Sequence, residues 1–114
     1  MEAIHKRLDR IEFHMRLLAK MEEEGDYPFY RLVIDRGLTE AEVTEVFQLC
    51  VEVNQKMHEQ IEEGLLNRST LLTHFVGMLT IKLDPLTTIK ALLAQEETYR
   101  ELMETLLKVS PYRY

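Results

Sequence analysis

Apolar residues recur every three or four positions along most of the chain, which is the spacing of one face of an α-helix. A first helix is predicted over residues 2–24, and it carries two apolar stripes about 150–200° apart. A helix with two such stripes packs against neighbours on two sides, and one of them can belong to another subunit. The first stripe consists of Ile4, Leu8, Ile11, Met15 and Leu18, and the second of Phe13, Leu17 and Met21. We name the second stripe as the candidate interface.

A long helix is predicted over residues 39–64, with signals at both ends. Thr39 and Glu42 have the spacing of a capping box, and Gly64 can take the left-handed conformation that ends a helix. About 25 residues make a rod of roughly 37 Å, the diameter of a compact chain of this length. Asn54 lies within its apolar stripe. The residue either fixes the register of a helix–helix seam or lies at the edge of the bundle, so Asn54 is also an interface candidate.

Three further helices complete the prediction. They cover residues 27–36, 69–82 and 85–109. Asp26 is the expected cap of the first, and Asp84 with Pro85 begins the last. Gly77 inside the middle helix could permit close helix approach. The fold class is therefore an all-α, multihelical bundle of four to five helices with one long central helix, oligomeric, in a single domain of residues 1–114. Residues 110–114 are expected to be a tail.

Charge and composition narrow the partners. The chain has 114 residues, 46% of them hydrophobic, which is enough for one core. Acids outnumber bases by 20 to 14, and a net charge of −6 repels phosphate, so no nucleic-acid partner is expected. We read no signal peptide, and the most apolar stretch, residues 71–83, is too short to span a bilayer. A single cysteine cannot form an internal disulfide. We therefore expect a cytoplasmic protein without a membrane partner.

Candidate chemistry is sparse. His5 with Asp9, and His58 with Glu62, stand four residues apart and share helix faces, so each pair could contribute two metal ligands. Two ligands do not make a site, and His58 and Glu62 remain weak metal candidates. Cys50 lies on an apolar stripe and is expected to be a packed thiol with a raised pKa. No catalytic residue, cofactor-binding residue or cofactor is predicted.

The segment over residues 37–42 resembles the start of a helix-turn-helix. That motif needs a turn soon after its first helix, whereas the helix here continues to residue 64 with an acidic outer face. A DNA-binding regulator is thus the third choice of function.

Certain segments resemble the YhaI-like family of small uncharacterised proteins from Bacillus and relatives. The resemblance is close to full length and is carried by residues 36–39, 72–79 and 82–85. It implies a multihelical, oligomeric fold in the cytoplasm of a Gram-positive bacterium. It implies no activity, cofactor or catalytic residue.

Two classes of function fit the sequence better than a DNA-binding regulator does. The leading one is a non-enzymatic interaction, scaffold or regulatory protein that forms a homodimer or higher symmetric oligomer and binds another protein. The alternative is a helical bundle, and a possible enzyme, that binds a small molecule or metal between helices or subunits. Its site would be lined by His58, Glu62, His74 or Tyr99, because bundle cores do hold such sites.

Overall fold

The helical periodicity is realised in six α-helices. The computed structural model describes residues 2–109, and this part of the chain contains no strand. The helices are α1 (Ile4–Glu24), α2 (Pro28–Asp35), α3 (Glu40–Glu62), α4 (Arg68–Met78), α5 (Pro85–Gln95) and α6 (Arg100–Val109), with a 3₁₀ turn at Glu97–Tyr99 between the last two. The all-α prediction is confirmed, and the expected number of four to five helices is too low. The predicted tail, residues 110–114, lies outside the described residues.

The extra helix arises because the last predicted helix is two helices. Glu96 has φ −108° and ψ 94°, an extended conformation that interrupts the helix after Gln95. The break turns α6 back so that it packs against both α5 and α4. A single straight helix could not pack against itself, and no Gly or Pro marks this break in the sequence. Burial of Leu102, Met103 and Leu106 stabilises the turned-back arrangement.

The fourth helix is shorter than predicted. It ends at Met78 rather than at residue 82, and Leu79 is already extended. Leaving the helix there lets Leu83 enter the core, where it is buried. The expectation that Gly77 permits a close helix contact is wrong, because a Cβ at this position would meet nothing within 4 Å.

The capping box of α3 is confirmed and is connected to a distant part of the chain. The Glu42 amide donates to Thr39 Oγ1 at 3.1 Å, and the Thr39 amide donates to Glu42 Oε1 at 2.9 Å. Lys82 Nζ lies 2.8 Å from the same Glu42 oxygen. Burial alone would raise the pKa of Glu42, but the bonds from Lys82 and Thr39 together lower it. The turn after α4 is thereby fastened to the start of α3.

The cap of α2 differs from the prediction. Asp26 is not the N-cap; that position is Tyr27, whose side chain accepts no capping bond, and Pro28 is the first helical residue. The free first-turn amides of Phe29 and Tyr30 instead donate to Gln95 Oε1, at 2.8 and 3.1 Å. A side chain at the end of α5 therefore caps α2 across the fold.

One core joins all six helices, but the molecule is elongated. Its principal extents are 49 × 32 × 27 Å and its radius of gyration is 15.3 Å, against roughly 13 Å for a compact chain of about 100 residues. Among the element pairs in substantial contact, α1 packs only on α2, whereas α3 packs on α4 and α6. The first helix is the least integrated part of the described fold.

Candidate functional site

The outward face of α1 is a continuous apolar stripe that the described residues, 2–109, leave uncovered. Its five side chains are between 50% and 71% exposed. They follow one another at intervals of four, three, four and three residues, so they align along one side of the helix. This outer stripe consists of Ile4, Leu8, Ile11, Met15 and Leu18.

The opposite face of α1 attaches the helix to the rest of the chain. Phe13 and Leu17 are only 7% and 8% exposed and belong to the hydrophobic core, and Met21 is partly buried. These were the interface candidates, and the structure places Phe13 and Leu17 inside their own subunit. The exposed apolar face of α1 is therefore the outer stripe. The sequence signal that separates the two stripes is the regular four–three spacing of the outer one, which is typical of coiled coils.

Polar contacts supplement this attachment in the second half of α1. His14 Nε2 lies 2.7 Å from the Leu38 carbonyl oxygen and donates to it in the tautomer that carries a proton there. Arg16 Nη2 lies 3.3 Å from Glu40 Oε1 at the start of α3. Both contacts are made by residues at or just after the helix midpoint.

The first half of α1 has little support from the body. All side chains over residues 4–9 are exposed, and a cleft of about 490 Å³ lies between this part of the helix and residues 39–41. Isolated helices of about 12–15 residues are marginal in water, since most helical stability in proteins comes from packing of an apolar face. Contiguous exposed apolar patches are more typical of interaction surfaces than of ordinary protein surface.

One family model covers nearly the whole chain. A family described as "Protein of unknown function (DUF1878)" matches residues 1–110. The chain belongs to this family. The family description names no substrate, cofactor or residue role.

The polar candidates are dispersed in this DUF1878 protein. His58 and Glu62 are exposed on α3, and His58 Nε2 lies 4.0 Å from a Glu101 oxygen. His74 Nε2 lies instead 3.9 Å from Glu52 Oε2. Within residues 2–109, no group of three His, Cys, Asp or Glu side chains is placed to hold a metal ion.

Asn54, the remaining interface candidate, is partly buried on α3. Both predicted roles of Asn54, fixing the register of a helix–helix seam and lying at the edge of the bundle, stay predictions.

Cys50 is a core thiol, as predicted. It is fully buried, and this burial, with a further contribution from the charge of Glu96, raises its pKa to about 12. Burial also raises the pKa of nearby Tyr99, to which the charges of Cys50 and Glu96 add. A thiolate nucleophile is disfavoured in such surroundings. Separately, none of the helices within the described residues has the length and apolar character needed to cross a membrane.

Proposed function

We propose that this DUF1878 protein acts by binding rather than by catalysis: it associates with copies of itself through helix packing and presents helical faces to another protein. The observation that carries the proposal is the outer stripe of α1, five large apolar side chains in a row that remain at least half exposed. Scattered exposed aliphatic residues are ordinary, but an aligned set on one weakly supported helix favours a partner.

The size of the stripe indicates the strength of association. Completing the burial of a half-exposed aliphatic side chain contributes about 1 kcal/mol, and both copies contribute their stripes. Loss of translational and rotational freedom opposes association by at least about 4 kcal/mol. At the lower end of that cost the balance corresponds to a dissociation constant of roughly tens of micromolar, which suits a reversible oligomer.

Light scattering tests the self-association. Purified protein is measured over concentrations from about 5 to 500 µM, a range that brackets micromolar dissociation constants. The expected result is a mass that rises with concentration from the 13.5 kDa of one chain toward a multiple of it. A constant mass of one chain throughout would overturn the self-association.

Affinity purification tests the second half of the proposal. The tagged protein is recovered from its own cells, and co-purifying proteins are identified by mass spectrometry against an untagged control. Enrichment of a specific second protein supports an interaction or scaffold role. Recovery of this chain alone, at every salt concentration used, would contradict that role and leave self-association standing.

We also infer a cytoplasmic location and a place among the YhaI-like proteins of Bacillus and relatives. The single cysteine, buried as a free thiol, supports the location, since secreted proteins of this size often rely on disulfides. Residues 72–79 and 82–85 support the narrower family placement. Cell fractionation with an antibody to the protein tests the location, and recovery outside the cytoplasm would overturn it.

A further inference from the structure

The outer stripe has the heptad pattern of a coiled-coil seam. Its alternating four- and three-residue steps place Leu8 and Met15 at the a positions, and Ile4, Ile11 and Leu18 at the d positions. The 3.5-residue repeat of such a seam keeps one narrow side of a helix facing a partner helix. The occupant that fits is another helix with the same repeat.

One pair of the residues that flank the seam carries opposite charges at matching positions. Arg7 occupies a g position and Glu12 the e position five residues later, which are the two positions that meet across a parallel pair of helices. In a parallel, in-register pair, Arg7 of one copy therefore faces Glu12 of the second copy, and symmetry makes this contact twice. Glu12 also lies 3.5 Å from Arg16 on its own helix, and both side chains are mostly exposed.

An antiparallel pair would lose this complementarity. Antiparallel coiled coils bring e against e and g against g, so Glu12 would face either His5 or Glu12 of the second copy. Arg7 would face His14 or Met21. Neither register brings Arg7 to a carboxylate, and one brings two carboxylates together, which is destabilising.

The attachment of α1 leaves room for a parallel pair. Phe13 and Leu17, which bind α1 to its own body, project roughly opposite to the outer stripe at 100° per residue. The body of each copy therefore lies behind its own α1, and two seams can meet face to face with the bodies on the outside.

We propose that a second copy of this chain covers the outer stripe, with the two α1 helices parallel and in register and with Arg7 of each copy against Glu12 of the other. This inference rests on the proposed self-association, for which it names the surface and the orientation. The molecule that covers the exposed face of α1 is then another copy of the same chain, which is present in every solution of the protein.

Disulfide trapping tests the register. Residue 11 would lie beside residue 11 of the second copy, within the Cα separation of up to about 7 Å that a disulfide can span. The Ile11→Cys variant is treated with oxidised glutathione. The protein concentration is one at which light scattering shows the wild type to be assembled. We expect a covalent dimer for Ile11→Cys and none for Lys6→Cys, an exposed position away from the seam. Wild type controls for buried Cys50.

Charge exchange tests the orientation. Arg7→Glu and Glu12→Lys are each expected to weaken association by roughly twofold to tenfold, and the double variant to recover most of the loss. Asp9→Lys, with the same change of charge as Glu12→Lys but outside the seam flanks, is the matched control and should change affinity less. Failure of the double variant to recover would overturn the parallel pairing.

The outcomes separate the two proposals. A monomeric wild type overturns both. An assembled wild type whose mass is unchanged by Ile11→Arg, or whose Ile11→Cys variant forms no disulfide, overturns only the seam, because self-association would then use another surface. Ile11 is half exposed, so these variants are expected to keep the wild-type helix content by circular dichroism, which each sample must show.

Discussion

The two longest helices are nearly equal in length and opposite in how they are held. Helix α1 has 21 residues and α3 has 23. Helix α3 buries six side chains within the chain and begins with a complete capping box. Helix α1 buries two of its described side chains, Phe13 and Leu17, begins after Ala3 without a side-chain cap, and exposes its outer stripe.

The difference shows that helical periodicity and the source of a helix's partner are separate pieces of information. In both helices an apolar stripe predicts a buried face. In α3 the chain itself supplies the covering residues from α4 and α6. In α1 the described residues cover the stripe of Phe13 and Leu17, and the heptad-spaced stripe stays exposed.

Two methionine substitutions probe this contrast most strongly. Met57 on α3 is fully buried, whereas Met15 on α1 is 63% exposed. Met57→Ala is expected to lower the free energy of unfolding by about 2–5 kcal/mol, because it leaves a cavity in the core. Met15→Ala should change the stability of a single chain by less than about 0.5 kcal/mol, but it should weaken self-association.

Urea unfolding at several protein concentrations measures both effects. The deficit of Met57→Ala should be nearly the same at every concentration. The deficit of Met15→Ala should grow with concentration, because assembly stabilises the folded chain by mass action. Equal effects of the two variants at low concentration would break the comparison between the helices.

The start of α2 offers the next largest effect. Gln95→Leu removes the oxygen that accepts the amides of Phe29 and Tyr30. Leaving partly buried donors unsatisfied costs about 1–3 kcal/mol. Thermal unfolding measures the loss, and hydrogen exchange should show faster exchange at those two amides. Gln95 Nε2 also donates to Glu96 Oε2 at 2.9 Å, so the matched control is the double variant Gln95→Glu with Glu96→Gln, which keeps the acceptor for the two amides and a donor–acceptor pair between positions 95 and 96. If it were as destabilising as Gln95→Leu, the capping role would be wrong.

The sequence predicts the features of this fold that are encoded locally. The capping box at Thr39 and the role of Pro85 after Asp84 follow from residues within one turn of each other, and the structure confirms both. Local hydrogen bonds and the 3.6-residue period determine these features without reference to the rest of the chain.

The features that the sequence does not reveal depend on distant residues. The cap of α2 comes from Gln95, 66 positions away from Phe29, and the break near Glu96 has no Gly or Pro to announce it. For the candidate site, both stripes of α1 are legible, but which of them the chain covers depends on the position of α2. Phe13 and Leu17, two of the interface candidates, are buried within the chain, and the four–three spacing is the sequence feature that distinguishes the outer stripe from theirs.

Helix capping provides a smaller test of the same contrast. Thr39→Ala removes the α3 cap and should cost about 1 kcal/mol. Ala3→Ser adds to α1 the kind of cap that α3 already has and should stabilise that helix by up to about 1 kcal/mol. Circular dichroism and thermal unfolding measure both. If Ala3→Ser left helix content and assembly unchanged, the start of α1 would not be limited by its missing cap.

The smallest effect expected is a pH dependence at the start of α3. The folded state lowers the pKa of Glu42 from its ordinary value of 4.5: burial opposes ionisation, but the bonds from Lys82 and Thr39 outweigh it. A lowered pKa in the folded state means that the stabilisation is complete above about pH 4.5 and is lost as pH falls through the folded pKa. Glu42→Gln keeps an acceptor for the Thr39 amide but cannot pair with Lys82 as a charge.

Wild type and Glu42→Gln are therefore compared by urea unfolding at pH 7 and pH 3. We expect the wild type to be more stable at pH 7 by less than about 1 kcal/mol, because the ion pair is partly exposed, and the two to converge at pH 3. Lys82→Met removes the other partner of the ion pair and should lower the stability at pH 7 by a similar amount. If wild type and Glu42→Gln still differed in stability at pH 3, the difference would come from the geometry of the cap rather than from charge. The contact between the α4–α5 turn and α3 would then be steric.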